Sequence, residues 1–285
     1  MKYLIVKGWL GFGDRLESLK MAVAFAIRYN LQIYVDWRDA GWSHGENDFY
    51  TYFKLVNMPV LNSLADIPED ATYFPAYWKG HLDEHLSYEF IVKTANEGLR
   101  LDYLDKEYPG DVIVYACNGN RILYPDSRFF ANVFRVVDPR ILQRIRAHAR
   151  AYPLASSWGI HIRGTDRVRE KDRLRSIQSL VTRITSFGGL NKAHMVVVSD
   201  DYENAEIWKR FYSQSYLVST PPNGSHKGNH NLSKDQLPIS KDQLNVDMLV
   251  DFFVLCYCEL VYGTSKDSRF AQESRRLHPF IDQIL

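Results

Sequence analysis

A short apolar strand that runs directly into a cluster of cations and hydroxyls constrains this chain more than any other feature. Residues 156–169 read Ser-Ser-Trp-Gly-Ile-His-Ile-Arg-Gly-Thr-Asp-Arg-Val-Arg. Trp158 to Ile162 alternates as a strand, with Ile160 and Ile162 on one face and His161 and Arg163 on the other. Ligands of open α/β sheets bind beyond the carboxyl ends of the strands. A guanidinium held there grips a diphosphate through two parallel hydrogen bonds and keeps its charge at any physiological pH. The plain alternative is a solvated, salt-bridged turn built from Arg163, Asp166 and Arg167.

The rest of the chain alternates strand and helix around this segment. A strand at Tyr3–Val6, a glycine turn (Gly8-Trp-Leu-Gly11-Phe-Gly13-Asp14), a helix over Arg15–Tyr29 and a strand Leu31–Val35 ending in Asp36 make a βαβ opening. Leu16, Leu19, Val23, Ala26 and Ile27 recur at helical spacing and predict the face that packs on the sheet. Residues 37–110 are irregular and aromatic. Trp42 and Trp78 there are read as candidate acceptor contacts, since such rings stack on sugars as well as filling cores. A strand at Asp111–Ala116, a loop at Cys117–Arg121 and a connecting helix from Pro139 through Ala151 follow, with the domain boundary placed at Tyr152-Pro153. This gives an N-terminal domain of residues 1–153 and a C-terminal domain of residues 154–285.

The second half repeats the pattern. It reads as a helix Leu174–Phe187, a strand His194–Val198 entering Ser199-Asp200-Asp201, a helix Asn204–Tyr212 and a strand Tyr216–Ser219. Residues 221–245 read as a polar loop carrying the doubled segment Ser-Lys-Asp-Gln-Leu at 233 and 240. A helix from Asn245, a strand Leu260–Tyr262, the turn Gly263–Ser268 and a helix from Arg269 complete the chain.

Composition limits the partners. The balance of 35 basic against 34 acidic residues leaves a net charge of +1. No general field therefore draws nucleic acid or an anionic membrane, and an anion must be met by a local site. No apolar stretch approaches the ~18 residues of a membrane span, and the opening Lys-Tyr-Leu-Ile-Val is too short for a signal-peptide core, so a cytoplasmic protein is expected. Of three cysteines, Cys256 and Cys258 lie in an apolar run and read as buried thiols, without the second pair or histidines of a zinc site.

Three successive strand ends carry polar clusters: His161/Arg163/Thr165/Asp166, Ser199/Asp200/Asp201 and Thr264/Ser265/Lys266/Asp267/Ser268. In a doubly wound sheet all three face one crevice. The last opens a helix, where free amides and the helix dipole favour phosphate.

With these motifs in place the chain resembles the GDP-fucose-dependent fucosyltransferase superfamily of nodulation-type and core α1,6-fucosyltransferases. Gly11-Phe-Gly13-Asp14-Arg15-Leu16 with Val35-Asp36-Trp37-Arg38 is similar to the N-terminal glycine turn and strand end of that family. Gly159 through Arg167 resembles its His-x-Arg-Arg-Thr-Asp-Lys motif, Ser199-Asp200-Asp201 its second motif, and Asp251 through Ser268 its third. The resemblance implies an α/β, GT-B-like fold of two Rossmann-type domains with mostly parallel sheets. It implies fucose transfer from GDP-fucose to a glycan hydroxyl, with inversion and without metal or other cofactor. Arg163 would grip the diphosphate, His161 and Asp251 would contact guanine, and Ser265, Lys266, Asp267 and Ser268 would hold phosphate. Asp200 would orient the nucleotide or the first motif's loop, and Ser199 would belong to the nucleotide-binding set. Gly11, Gly13, Arg15, Thr165 and Arg167 complete the expected binding set.

Two positions depart from the family pattern. Its second motif arginine is Gly164 here, leaving Arg167, Arg169 or Lys266 to supply the charge. The position of its proposed general base is Lys171, which leaves Glu170, with Asp166, as the candidate catalytic carboxylates. Three other readings compete: a transferase for another GDP-deoxyhexose, a nucleotide- or glycan-binding homologue without activity, and an NAD-dependent oxidoreductase using the N-terminal glycines and Asp36.

Overall fold

The computed structural model describes residues 2–43, 47–94, 98, 99, 101, 103–116, 126–164, 172–186, 194–219, 239–265 and 268–285. The chain divides into two compact units, Met1–Asp138 with Asp282–Leu285, and Pro139–Ile281.

The first unit contains β1 (Tyr3–Lys7), α1 (Phe12–Arg28), β2 (Gln32–Asp36), α2 (Phe49–Tyr52), β3 (Phe53–Leu55), β4 (Tyr73–Phe74), α3 (Tyr88–Thr94), β5 (Val112–Ala116), α4 (Ser127–Val133) and β6 (Phe134–Val136). Its parallel sheet has the order β2-β1-β5-β4, and β3 pairs antiparallel with β6 in a separate ribbon. Every residue of β1 and β5 is buried, the signature of central strands covered on both faces. Along α1, Leu16, Leu19, Val23 and Ala26 are fully buried as their spacing predicts, whereas Ile27 is exposed. The helix also starts at Phe12, three residues before its predicted start, with Gly11 in extended backbone at the N-cap.

The second unit contains α5 (Pro139–Ala151), β7 (Ser157–Ile162), α6 (Arg173–Ser186), β8 (His194–Ser199), α7 (Tyr202–Phe211), β9 (Tyr216–Leu217), α8 (Lys241–Tyr257), β10 (Leu260–Gly263) and α9 (Arg269–Leu277). A short terminal helix, α10 (Ile281–Ile284), closes the chain. The sheet is parallel in the order β10-β7-β8-β9. Ile160 and Ile162 of β7 join Met195 and Val197 of β8 against Ile177, Leu180, Ile184 and Trp208 from α6 and α7. The helix read as a connector, α5, lies wholly in this unit and packs on α8.

Two expectations are corrected. Residues 241–245 are helix, not loop: Ser240 caps α8 by accepting from the Gln243 amide, so the second Ser-Lys-Asp-Gln-Leu copy is a cap and first helical turn. The first copy lies outside the described residues. Trp42 and Trp78, taken as acceptor contacts, are 2% and 1% exposed. Trp42 packs among Phe12, Trp37, Tyr52 and Phe53, and Trp78 belongs to the cluster under β1 and β5. Both fill core. Cys256 and Cys258 are buried thiols, as read.

The turn after β1 is organised by Arg15. Its side chain is 1% exposed, and its two terminal nitrogens donate to the two oxygens of Asp39 at 2.8 and 2.7 Å while Nε donates to the Leu10 carbonyl. The guanidinium also lies over Trp37 and Trp42. Gly8 is required beside it, because a Cβ there would meet Arg15 Nη1 at 2.1 Å. Removing one member of a buried ion pair leaves the other charge uncompensated. Arg15→Met is therefore expected to lower stability by about 3–5 kcal/mol in urea denaturation. A loss under about 1 kcal/mol, the value of an exposed pair, would refute this role.

Candidate functional site

In the second unit the chain runs outward through β7, β8 and β9, then returns through α8 to add β10 on the other side of β7. Strand order thus reverses between β7 and β10, where open α/β sheets form their ligand crevice. Main-chain and side-chain groups from the adjoining strand ends pin the main chain there. The Thr264 amide donates to the His161 carbonyl at 3.0 Å. The Arg163 amide donates to Thr264 Oγ1 at 3.0 Å, and the Gly164 amide to Asp200 Oδ1 at 2.8 Å. Arg163, half-buried, follows β7 directly and is carried on this fixed backbone.

Behind it, His161 is buried, with Nδ1 2.9 Å from Ser268 Oγ and its ring stacked on Phe270 at 4.8 Å. Ser268 Oγ accepts from the Ala271 amide and caps α9. Burial, then the charge of Arg163, push the His161 pKa down to about 3, so the ring is neutral at neutral pH. Phe270 packs edge-on against Phe252, the neighbour of Asp251 on α8. Asp251 is 7% exposed; Oδ2 accepts from Ser219 Oγ at 2.8 Å, and Oδ1 is buried without a hydrogen-bond partner. Burial raises its pKa to about 8, with Asp247 adding and Ser219 and Arg144 opposing, so Asp251 is a neutral acid at pH 7.

His161, Arg163, Asp200, Ser265 and Ser268 stand at or just beyond the strand ends expected from sequence, and Asp251 is on α8, the apolar helix on which it was expected. Asp200 acts on the first motif's backbone through Gly164, and helix capping falls to Asp201, whose carboxylate accepts from the Glu203 and Asn204 amides. The Ser199 hydroxyl donates to the Asp201 carbonyl and accepts from the Asp201 amide within the β8–α7 turn. Gly11, Gly13 and Arg15 are in the first unit, the glycines as the N-cap and first turn of α1 and Arg15 locked to Asp39. Thr165, Asp166, Arg167, Glu170, Lys266 and Asp267 lie outside the described residues. Ser219, the partner of Asp251, carries no motif that would have singled it out.

The oxidoreductase reading fails on Asp36. That carboxylate is buried, with Lys7 donating to Oδ2 at 2.6 Å and Arg38 donating to Oδ1 and Oδ2 at 2.8 and 3.1 Å. Its oxygens are already held from within the unit, leaving the acid poorly placed to take ribose hydroxyls. Among the described residues, no group of three or more His, Cys, Asp or Glu side chains could hold a metal ion. Nor is any helix there long and apolar enough to cross a membrane.

Two α/β units with mostly parallel sheets define a GT-B-like fold. NodZ α-1,6-fucosyltransferase, in a crystal soaked with GDP-fucose, has this fold: TM-score 0.71 and 18% identity over 98% of this chain and 94% of that one. A mutant of Arabidopsis thaliana FUT1 in complex with GDP gives 0.55 at 15% identity, covering 97% and 68%. POFUT1 with GDP gives 0.51 at 12% identity, covering 96% and 94%. No family model matches the chain, and no curated protein sequence matches it.

The raised pKa of Asp251 has a measurable consequence. The folded state holds this proton to about pH 8, while an unfolded Asp releases it near its ordinary 3.8. Between those values unfolding releases a proton, so stability falls as pH rises, and the penalty is complete above about pH 8. Asp251→Asn should be more stable than wild type by on the order of a few kcal/mol at pH 8, with the difference closing toward pH 4. Urea titrations at pH 4.5, 6 and 8 test this; a difference that grows on acidification would overturn it.

Proposed function

We propose that this protein is a glycosyltransferase that moves fucose from GDP-fucose to a glycan hydroxyl, with inversion at the anomeric carbon and without a metal ion. The observation that carries the reading is Arg163, a guanidinium on a main chain pinned from both neighbouring strands at the switch point of the second unit. The likeness in fold to enzymes crystallised with GDP-fucose or GDP supports it.

In this reading the second unit holds the donor and the first is the acceptor side. Asp251 meets the guanine. Asp251, neutral in the free protein, gives up its proton as guanine binds, and its unpartnered Oδ1 then accepts from the N1–H and exocyclic amine of that base. Neutral His161, anchored by Ser268, joins Asp251 in meeting the base and donates or accepts without adding charge. Ser265 and Ser268 meet the phosphates at the start of α9, and Lys266 and Asp267 remain candidates from the same motif.

The acceptor hydroxyl attacks the anomeric carbon as the bond from that carbon to the diphosphate oxygen breaks. The bonding pair leaves with GDP. Arg163 stabilises the charge that accumulates on it. The hydroxyl proton passes to a carboxylate within hydrogen-bond reach, for which Glu170 and Asp166 are the candidates.

Calorimetric titration without divalent metal tests the donor half. GDP should bind and UDP and NAD should not, and Arg163→Ala should weaken GDP by at least about tenfold, as for a lost hydrogen bond to a charged group. Absence of GDP binding, or preference for NAD, would sink the proposal. GDP binding without transfer or hydrolysis of GDP-fucose would make the protein a binding homologue instead.

A further inference from the structure

Asn204 sits in the first turn of α7, 1% exposed, with its amide N–H donating to Asp201 Oδ1. Its side chain lies against Gly164, the residue after Arg163. A Cβ on residue 164 would stand 1.6 Å from Asn204 Nδ2, 2.6 Å from Cγ and 3.2 Å from Oδ1. A side chain at 164 and the carboxamide at 204 therefore exclude one another. Nδ2 itself is buried and makes no hydrogen bond.

Nearly all buried polar groups in native proteins are paired, and exceptions gather where a ligand or the chemistry supplies the partner. The adjoining main-chain donors are already committed, Arg163 N–H to Thr264 and Gly164 N–H to Asp200. The unpaired amide lies beside Gly164, at the strand end where an anion would meet the guanidinium. Pairing it with an oxygen of that anion removes the cost of leaving it unmade.

We propose that Asn204 contacts the diphosphate of the bound nucleotide, its carboxamide donating from the space that the missing side chain of residue 164 leaves open. The proposal rests on reading this unit as the GDP-sugar site. It makes Gly164 and Asn204 one device. Bare backbone at 164 admits a neutral amide donor beside the cation of Arg163, and phosphate recognition is shared between charge and hydrogen bonding.

The test is calorimetric titration of GDP, guanosine and pyrophosphate into wild type, Asn204→Ala, Asn204→Asp and the double variant Gly164→Ala/Asn204→Ala, with thermal melts alongside. Asn204→Ala should weaken GDP and pyrophosphate by roughly tenfold and guanosine by less than about twofold, because only the phosphates lose a partner. Asn204→Asp keeps the side-chain volume and should weaken GDP further by setting like charge against it. It also preserves the test if the alanine variant does not fold.

Gly164→Ala alone should destabilise, whereas the double variant should melt like Asn204→Ala without regaining GDP affinity. Recovery of GDP affinity in the double variant would reduce Asn204 to a filler of space and overturn the proposal. So would equal losses for GDP and guanosine. A wild type that ignores GDP overturns the underlying reading, an outcome distinct from a wild type that binds GDP no better than its Asn204 variants.

Discussion

The two residues beyond the end of β7 are held by side chains where strand pairing stops, and the candidate site depends on them. A parallel ladder stops where its strands stop, and the next amides need other acceptors or carry a desolvation cost. Thr264 and Asp200 supply those acceptors from the ends of β10 and β8. Three strand ends distant in sequence thereby become one rigid edge. A guanidinium on such an edge is placed before any ligand arrives, which electrostatic stabilisation of a leaving group requires.

Buried charges pair with one another at the strand ends of the first unit, and are neutralised at the switch point of the second. In the first, Lys7, Asp36 and Arg38 close on one another, and Arg15 closes on Asp39. Burial pulls Lys7 below its ordinary pKa; against the upward pull of burial on Asp36, Arg38 and Lys7 hold that carboxyl down. Lys7 also donates to the carbonyls of Leu82 and Glu84, fastening the chain after β4 to the carboxyl ends of β1 and β2. In the second unit, burial instead neutralises His161 and Asp251 and leaves Asp251 Oδ1 and Asn204 Nδ2 unpaired. Polar groups saturated from within serve the fold. Those left open at a switch point are where a ligand's own donors and acceptors fit.

Much of this is legible in the sequence, for a physical reason. The helix predicted over Pro139–Ala151 has those bounds in the structure because proline at the first position and the apolar spacing act locally. The strands at Tyr3, Asp111, Trp158, His194 and Leu260 stand out because central parallel strands are continuous apolar runs. The start of α8 is not legible, since Ser240 repeats the residues of Ser233 and only its geometry makes it a cap. Nor is the β3–β6 ribbon, whose partners lie about eighty residues apart, a separation that local pattern does not register.

The sequence by itself determined the strand–helix alternation, the parallel sheets that follow from it, and the placing of Arg163, Asp200 and Ser268 at strand ends. These are consequences of hydrophobic period and chain order. Only the tertiary structure decided what each polar side chain does there. Arg15 closes on Asp39 inside the glycine turn, Trp42 and Trp78 fill core, Ser219 reaches Asp251 across 32 positions, and Asn204 takes the room that Gly164 leaves. Each outcome turns on a partner remote in the chain and on burial that strengthens the pairing or leaves it wanting, and neither quantity exists until the chain has folded.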